Sequence, residues 1–115
     1  MLWHQGEGNG GDSPSVYSAA LDALIANYRA DLGDAHLPVM IGQMCPEGID
    51  LSTGRQGIAG VHEATPTRVT RTGYAAATYD AHNPGDTTHF STAGTSYLGD
   101  TFAAAYLQAL GNVHV

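Results

Sequence analysis

Residues 37–43, LPVMIGQ, form a short and almost continuous apolar run that contains Val39 and Ile41. A strand that is covered on both faces, as in a parallel sheet, has this pattern, whereas a strand with one face in water alternates apolar and polar residues. A loop rich in glycine, proline and polar residues follows the run. The pattern therefore predicts a buried strand here, in a parallel sheet.

The segment before this strand, residues 13–33, has consistent features of a helix. Ser13 can cap the N-terminus, Pro14 suits the first helical position and Gly33 supplies a stop. Apolar residues recur at three- and four-residue spacing at Tyr17, Leu21, Leu24, Ile25, Tyr28 and Leu32. We predict a helix over this segment.

The other segments continue an alternation of strands and helices. Residues 1–3 have the composition of the end of a buried strand, residues 54–64 allow a short helix, and residues 67–79 are rich in the β-branched and aromatic residues of strands. Residues 91–111 predict a last helix with a stripe of Leu98, Phe102, Tyr106 and Leu110. This alternation predicts an α/β fold, in which helices pack on the faces of a parallel sheet.

The composition excludes several classes of protein and partner. The 115 residues suit one domain, and four basic against eleven acidic residues give a net charge of −7, which disfavours nucleic acid as a partner. No apolar stretch reaches the ~20 residues of a membrane span, no signal peptide is evident, and localisation stays open. Cys45 is the one cysteine, so no internal disulfide can form, and a buried inert thiol is favoured over a reactive one.

Two polar clusters have residue types suited to catalysis. Asp86 precedes His89 by three residues in a predicted loop, a spacing at which the carboxylate can orient the imidazole and leave its other nitrogen free to act as a general base. Residues 4–9 follow the predicted first strand, at the carboxyl end where α/β sheets place their ligands. Residues 84–89 follow the last predicted strand, so both clusters are expected at one rim. A solvent-exposed Asp and His in a polar turn is the alternative interpretation of the second cluster.

Both clusters resemble motifs of a known family. Residues 3–9, WHQGEGN, resemble the W-x-Q-G-E block of the SGNH hydrolase superfamily, in the carbohydrate-esterase branch that includes sialate O-acetylesterases and acetylxylan esterases. Residues 86–90, DTTHF, followed by Gly94 and Gly99, resemble its final block, which carries the catalytic Asp and His. The resemblance covers nearly the whole chain and corresponds to roughly the carboxyl-terminal half of the family's domain.

The resemblance implies a three-layer α/β/α domain and a serine-type hydrolysis of acetyl esters on carbohydrates. Asp86 and His89 are the implied catalytic pair, and no cofactor or metal is implied. In the first block, Gln5 is the best match to the oxyanion-binding amide and Asn9 the second. The neighbouring Gly6 and Glu7 complete the oxyanion and substrate-binding group, in which Glu7 supports the site or contacts the sugar. This interpretation requires Gln5 and His89 to face one another across a shared crevice.

The nucleophile of the family, a serine in a Gly-x-Ser block after the first strand, has no counterpart here. Ser13 in Gly11-Asp12-Ser13 is better explained as a helix cap, because a nucleophilic serine should follow a strand directly. We therefore expect residues 1–115 to form a single, partial SGNH domain that lacks its first strands. A second copy or a partner chain that completes the sheet would relieve the unpaired edge.

Two further hypotheses remain beside the esterase. A non-catalytic carbohydrate-binding or assembly module derived from the same fold accounts directly for the missing serine. Six histidines suggest a metal site, but their spacings show no His-x-x-x-His or Cys/His pattern of the kind zinc uses. His62-Glu63 lacks the second histidine that a metalloprotease helix requires. We therefore expect no metal ligands.

Overall fold

The predicted strand at residues 37–43 forms β2 (Val39–Gly42), the central strand of a three-stranded sheet in the computed structural model, which describes residues 1–114. Its neighbours are β1 (Leu2–Trp3) and β3 (Thr72–Ala75). Both neighbours run parallel to β2, so the prediction of a parallel sheet is confirmed. The sheet order β1-β2-β3 leaves β1 and β3 at its edges.

Four helices and an antiparallel hairpin complete the described chain. The remaining elements, in chain order, are a 3₁₀ turn (Glu7–Asn9), α1 (Pro14–Asp31), α2 (Pro46–Asp50), α3 (Thr53–Arg68), the hairpin strands β4 (His82–Asn83) and β5 (Asp86–Phe90), and α4 (Thr92–Gly111). The three long helices begin after serines whose hydroxyls accept a backbone N–H, at Ser13, Ser52 and Ser91. The capping role predicted for Ser13 is confirmed. Within residues 1–114, none of the helices is both long and apolar enough to cross a membrane.

The two faces of β2 pack against different helices. Val39 and Ile41 are fully buried in one cluster with apolar side chains of α1 and α3. Met40, which alternates with them, belongs to a second cluster with Ala75 of β3 and apolar residues of α4. Since successive side chains of a strand point to opposite faces, the sheet separates two helical layers. The predicted three-layer α/β/α arrangement is confirmed.

Several element boundaries differ from the sequence expectations. Helix α3 continues to Arg68, so the strand expected over residues 67–79 shrinks to β3. Residues 46–50, expected in a loop, form α2, with Pro46 at its first position, where a missing N–H costs nothing. Asp86 to His89, also expected in a loop, lie in β5, because β4 supplies an antiparallel partner. This strand has no fully buried face and therefore shows no alternating apolar pattern.

The apolar stripe expected on α4 is correct only in part. Leu98 is buried, but Tyr106 and Leu110 are 44% and 41% exposed, and Ala105 and Ala109 face the sheet instead. The reason is the close approach of α4 to β3, where a Cβ built on Gly73 would lie 2.0 Å from the Ala105 carbonyl oxygen. Only small side chains fit at such a contact.

A second close contact holds the loop after β1 against α3. A Cβ built on Gly54, near the start of α3, would lie 1.8 Å from the carbonyl oxygen of Gly10. Only a residue without a side chain lets the two backbones approach to this distance. The absence of a side chain at Gly54 therefore lets the loop that contains residues 5–9 pack on the N-terminal end of α3.

Substitution of Gly54 by Ala is expected to destabilise the protein by about 1–3 kcal/mol, because the added methyl group overlaps the Gly10 backbone. Gly60→Ala is the matched control, since it lies in the same helix and a Cβ there meets nothing within 4 Å. It should stabilise the protein by up to about 1 kcal/mol through helix propensity. Urea unfolding measures both variants, and equal stabilities would contradict the close contact.

Candidate active site

Strand β5 brings Asp86 and His89 into direct contact. The carboxylate Oδ2 accepts a hydrogen bond from His89 Nδ1 at 2.6 Å, and Oδ1 accepts from the backbone N–H groups of Thr88 and His89 at 2.8 and 3.2 Å. The bond to the His89 ring is the main cause of a lowered Asp86 pKa, and the bond from Thr88 N–H adds to it. With Nδ1 held by the carboxylate, Nε2 of the largely exposed imidazole is free to exchange a proton with a substrate or nucleophile.

Gln5 and Asn9 lie together at the carboxyl end of β1. Gln5 Nε2 donates to Asn9 Oδ1, and Gln5 Oε1 accepts from the hydroxyl of Tyr17 at 2.9 Å. Asn9 Nδ2 in turn donates to Asp12 Oδ2 at 2.6 Å. These side chains and Trp3 line one end of a cavity of about 300 Å³ against α1. The amide of Gln5 is therefore held on the α1 side of β1.

Gly6 and Glu7 connect the same loop to α3. Gly6 has φ of 138°, and a Cβ on it would lie 2.8 Å from Cε1 of the buried His62, so the backbone packs directly on the core. Glu7 opens the 3₁₀ turn, and its carbonyl oxygen accepts a hydrogen bond from Nε of Arg55 at 3.3 Å. The block predicted from its motif is thus anchored through its backbone at two points.

Arg55 also contacts the second motif, residues 86–90; the two motifs, residues 3–9 and 86–90, are called the two polar blocks below. Its Nη1 donates to the hydroxyl of Thr88 at 3.2 Å, so one guanidinium bridges the loop that holds Glu7 and the hairpin that holds His89. The sequence analysis did not single out Arg55, because its two partners lie 48 and 33 residues away along the chain. Contacts between residues so far apart leave no recognisable spacing in the sequence.

The pKa of the buried Cys45 thiol also shows that the two polar blocks lie near one another. Burial is the main cause of a rise in its pKa to about 11, and the negative charges of Glu47, Glu7 and Asp86 raise it further, while Arg55 opposes them. Both polar blocks are therefore near enough to act electrostatically on one side chain. A thiol with this pKa stays protonated at neutral pH, which agrees with the expected inert role.

The structure does not bring Gln5 and His89 of the predicted site into contact. The hydrogen bonds of Gln5 run toward α1, whereas the imidazole of His89 lies on the hairpin, and none of the cavities described is lined by both residues. The shared crevice of the two side chains stays a prediction. Within residues 1–114, no serine hydroxyl forms a hydrogen bond with His89, and no group of three His, Cys, Asp or Glu side chains is arranged to hold a metal ion.

His62 lies beneath the first block and was singled out only for the metal hypothesis. Its imidazole is fully buried, its Nε2 pairs with the Tyr17 hydroxyl at 2.9 Å, and its Nδ1 has no hydrogen-bond partner among the described residues. Burial lowers the pKa of His62 to about 4, with a smaller contribution from the charge of His4. His62 is therefore neutral at pH 7.

A model of the carbohydrate esterase family described as sialic acid-specific acetylesterase matches residues 1–108 of the chain. The chain belongs to this carbohydrate esterase family. No curated protein and no solved structure matches it with significance. The matched range of the carbohydrate esterase includes both polar blocks and the helix that carries Arg55, so the family resemblance inferred from the two motifs is confirmed.

Removal of the Arg55 guanidinium by Arg55→Met is expected to lower the free energy of unfolding by about 1–3 kcal/mol, because the Glu7 carbonyl and the Thr88 hydroxyl both lose a charged donor. Combined with Thr88→Val in a double-mutant cycle, the change should show a coupling energy of at least about 0.5 kcal/mol. Arg68→Met, combined with Thr88→Val in the same way, is the control, since Arg68 bonds to Asp22, Val61 and Thr65 but not to Thr88 and should show no coupling. Additive effects of Arg55→Met and Thr88→Val would show that no bridge joins the blocks.

The neutral state of His62 predicts a pH dependence of stability. The folded pKa of about 4 lies below the ordinary 6.5, so the unfolded chain binds the extra proton between these values and stability falls as pH decreases from 6.5 to 4. The loss attributable to His62 is about 3 kcal/mol. Unfolding free energies of His62→Gln should show a shallower pH slope, whereas the exposed His36→Gln should keep the parent slope. An unchanged slope in His62→Gln would refute the assignment.

Proposed function

We propose that the chain carries the acid–base part of a carbohydrate O-acetylesterase site, with Asp86 and His89 as its catalytic pair. The 2.6 Å bond between the carboxylate and Nδ1 carries this proposal, because it selects the tautomer in which Nε2 has a free lone pair. Family membership indicates an acetylated carbohydrate or a similar small ester as the substrate. No cofactor, nucleic acid or membrane enters this reaction.

The reaction proceeds by two acyl transfers. Nε2 of His89 takes the proton of an attacking serine hydroxyl while the serine oxygen bonds to the acetyl carbonyl carbon. The resulting tetrahedral oxyanion collapses, the bond to the sugar oxygen breaks, and His89 returns the proton to that oxygen. Water then attacks the acyl-serine with the same assistance and releases acetate. Asp86 stabilises the imidazolium in both steps.

Gln5 is the proposed oxyanion donor, with Asn9 as the second candidate amide. The second hydrogen of Gln5 Nε2 is not donated to any residue within 1–114, so it is available to a developing negative charge. The backbone of Gly6 and the side chain of Glu7 complete the substrate-binding group on the same loop. One donor of this kind is worth about 3 kcal/mol of activation free energy.

The serine itself is proposed to come from outside residues 1–114. Ser13, Ser52 and Ser91 are used as helix caps, and no described serine bonds to His89. A partial SGNH-like domain formed by residues 1–115 would then need a partner chain to provide the nucleophile. Such a chain, or a second copy of this one, could also pair with the open edge of β1, but a second copy would bring no further serine.

The absence of a serine partner for His89 within residues 1–114 also favours a second candidate, a non-catalytic module that binds acetylated carbohydrate. The two candidates differ in turnover and not in ligand. Labelling by a fluorophosphonate requires an activated serine and therefore distinguishes them, since the binding module alone stays unlabelled while still responding to an O-acetylated sugar in NMR titrations.

Hydrolysis of p-nitrophenyl acetate tests the catalytic proposal without the missing serine, because this ester is reactive enough for His89 to promote its hydrolysis by activating water. His89→Ala should lower kcat by about 10²–10⁴-fold, the usual contribution of a general base, and Asp86→Asn should lower it through loss of imidazole orientation. His36→Ala is the control, because His36 lies on an exposed loop after α1. Equal rates for the parent chain, His89→Ala and buffer would reject the esterase function for this polypeptide and leave the binding module.

A further inference from the structure

An unbroken series of hydrogen bonds runs from the core to the surface beside the candidate site. His62 pairs with Tyr17, Tyr17 with Gln5, Gln5 with Asn9, and Asn9 with Asp12. Four of these five side chains can either donate or accept at the atoms concerned, depending on tautomer, rotamer or amide orientation. Asp12 is the exception, because an ionised carboxylate only accepts.

The carboxylate of Asp12 determines the direction of every bond in the series. Asn9 must present its Nδ2 to Asp12 and therefore its Oδ1 to Gln5. Gln5 must then donate through Nε2 to Asn9 and accept through Oε1 from Tyr17. The Tyr17 hydroxyl, having given its hydrogen to Gln5, can only accept from Nε2–H of His62.

The buried end of the series is compatible with this direction. His62 Nδ1 has no partner among the described residues. In the Nε2–H tautomer this atom is an unpaired acceptor, whereas the opposite direction would place an unpaired N–H in the core, which folded proteins tolerate less often. Among the described residues, the buried indole Nε1 of Trp3 makes no hydrogen bond of normal geometry. Burial raises the pKa of Tyr17, and the interaction of Tyr17 with Trp3 opposes this rise.

We propose that Asp12 is a positioning residue, which holds the Gln5 amide with its N–H groups toward the substrate by fixing the direction of the hydrogen-bond series from Asp12 to His62. The proposal rests on the proposed function of Gln5 as oxyanion donor. With the direction reversed, Gln5 would present an oxygen where the reaction needs a donor. Asp12 thus has a role in the Gly11-Asp12-Ser13 triplet that is independent of any nucleophilic serine.

The substitution Asp12→Asn keeps the shape of the side chain and allows either direction. Since a charge-assisted hydrogen bond is roughly twice as strong as a neutral one, the ratio of His62 tautomers should move toward Nδ1–H by about tenfold. The ¹⁵N resonances of the His62 ring measure this ratio without any need for turnover. Asp34→Asn is the control, because it makes the same change of charge in the loop after α1, away from the series.

Tyr17→Phe tests whether the effect passes through the series. It removes the hydroxyl and keeps the ring, so Asp12→Asn should no longer change the His62 resonances in that background. If the parent chain hydrolyses p-nitrophenyl acetate, Asp12→Asn should lower kcat by about tenfold and leave KM unchanged. Parent-like His62 resonances in Asp12→Asn overturn the positioning role, whereas a parent chain without hydrolysis rejects only the proposed function, since the NMR measurement stands by itself.

Discussion

The burial of β2 on both faces is the constraint on which the rest of the structure depends. Val39 and Ile41 require cover from α1 and α3, while Met40 requires cover from α4. A strand enclosed in this way must be central, so β1 and β3 pair with it in parallel and end at the same edge of the sheet. Residues 4–9 emerge at that edge, where α/β folds bind their ligands.

The candidate site is held together by backbone contacts more than by pairs of charges. Gly54 allows the loop after β1 to touch α3, and Arg55, the next residue, donates to a carbonyl of that loop and to a hydroxyl of the hairpin. One turn of α3 therefore positions both polar blocks.

The α/β/α layers and the contact between Asp86 and His89 could be predicted from the sequence, because both depend on local patterns. A doubly covered strand has a continuous apolar run, and a three-residue spacing puts a carboxylate within reach of an imidazole on a short strand as well as in a turn. Contacts between distant segments have no such pattern. Arg55 and His62 were therefore missed as parts of the site, and small residues at Ala105 and Ala109 concealed the buried face of α4.

Family membership and turnover depend on different features of this chain. Membership follows from a match over residues 1–108, whereas the proposed turnover would need a nucleophile within reach of His89 Nε2. The imidazole of His89 is 75% exposed, so water competes with any nucleophile for a hydrogen bond to its Nε2. A segment that brought a serine to His89 would also cover the ring, remove that water and strengthen its bond to Asp86, since electrostatic interactions grow as the local dielectric falls. Completion of the site and activation of its base would thus be one event.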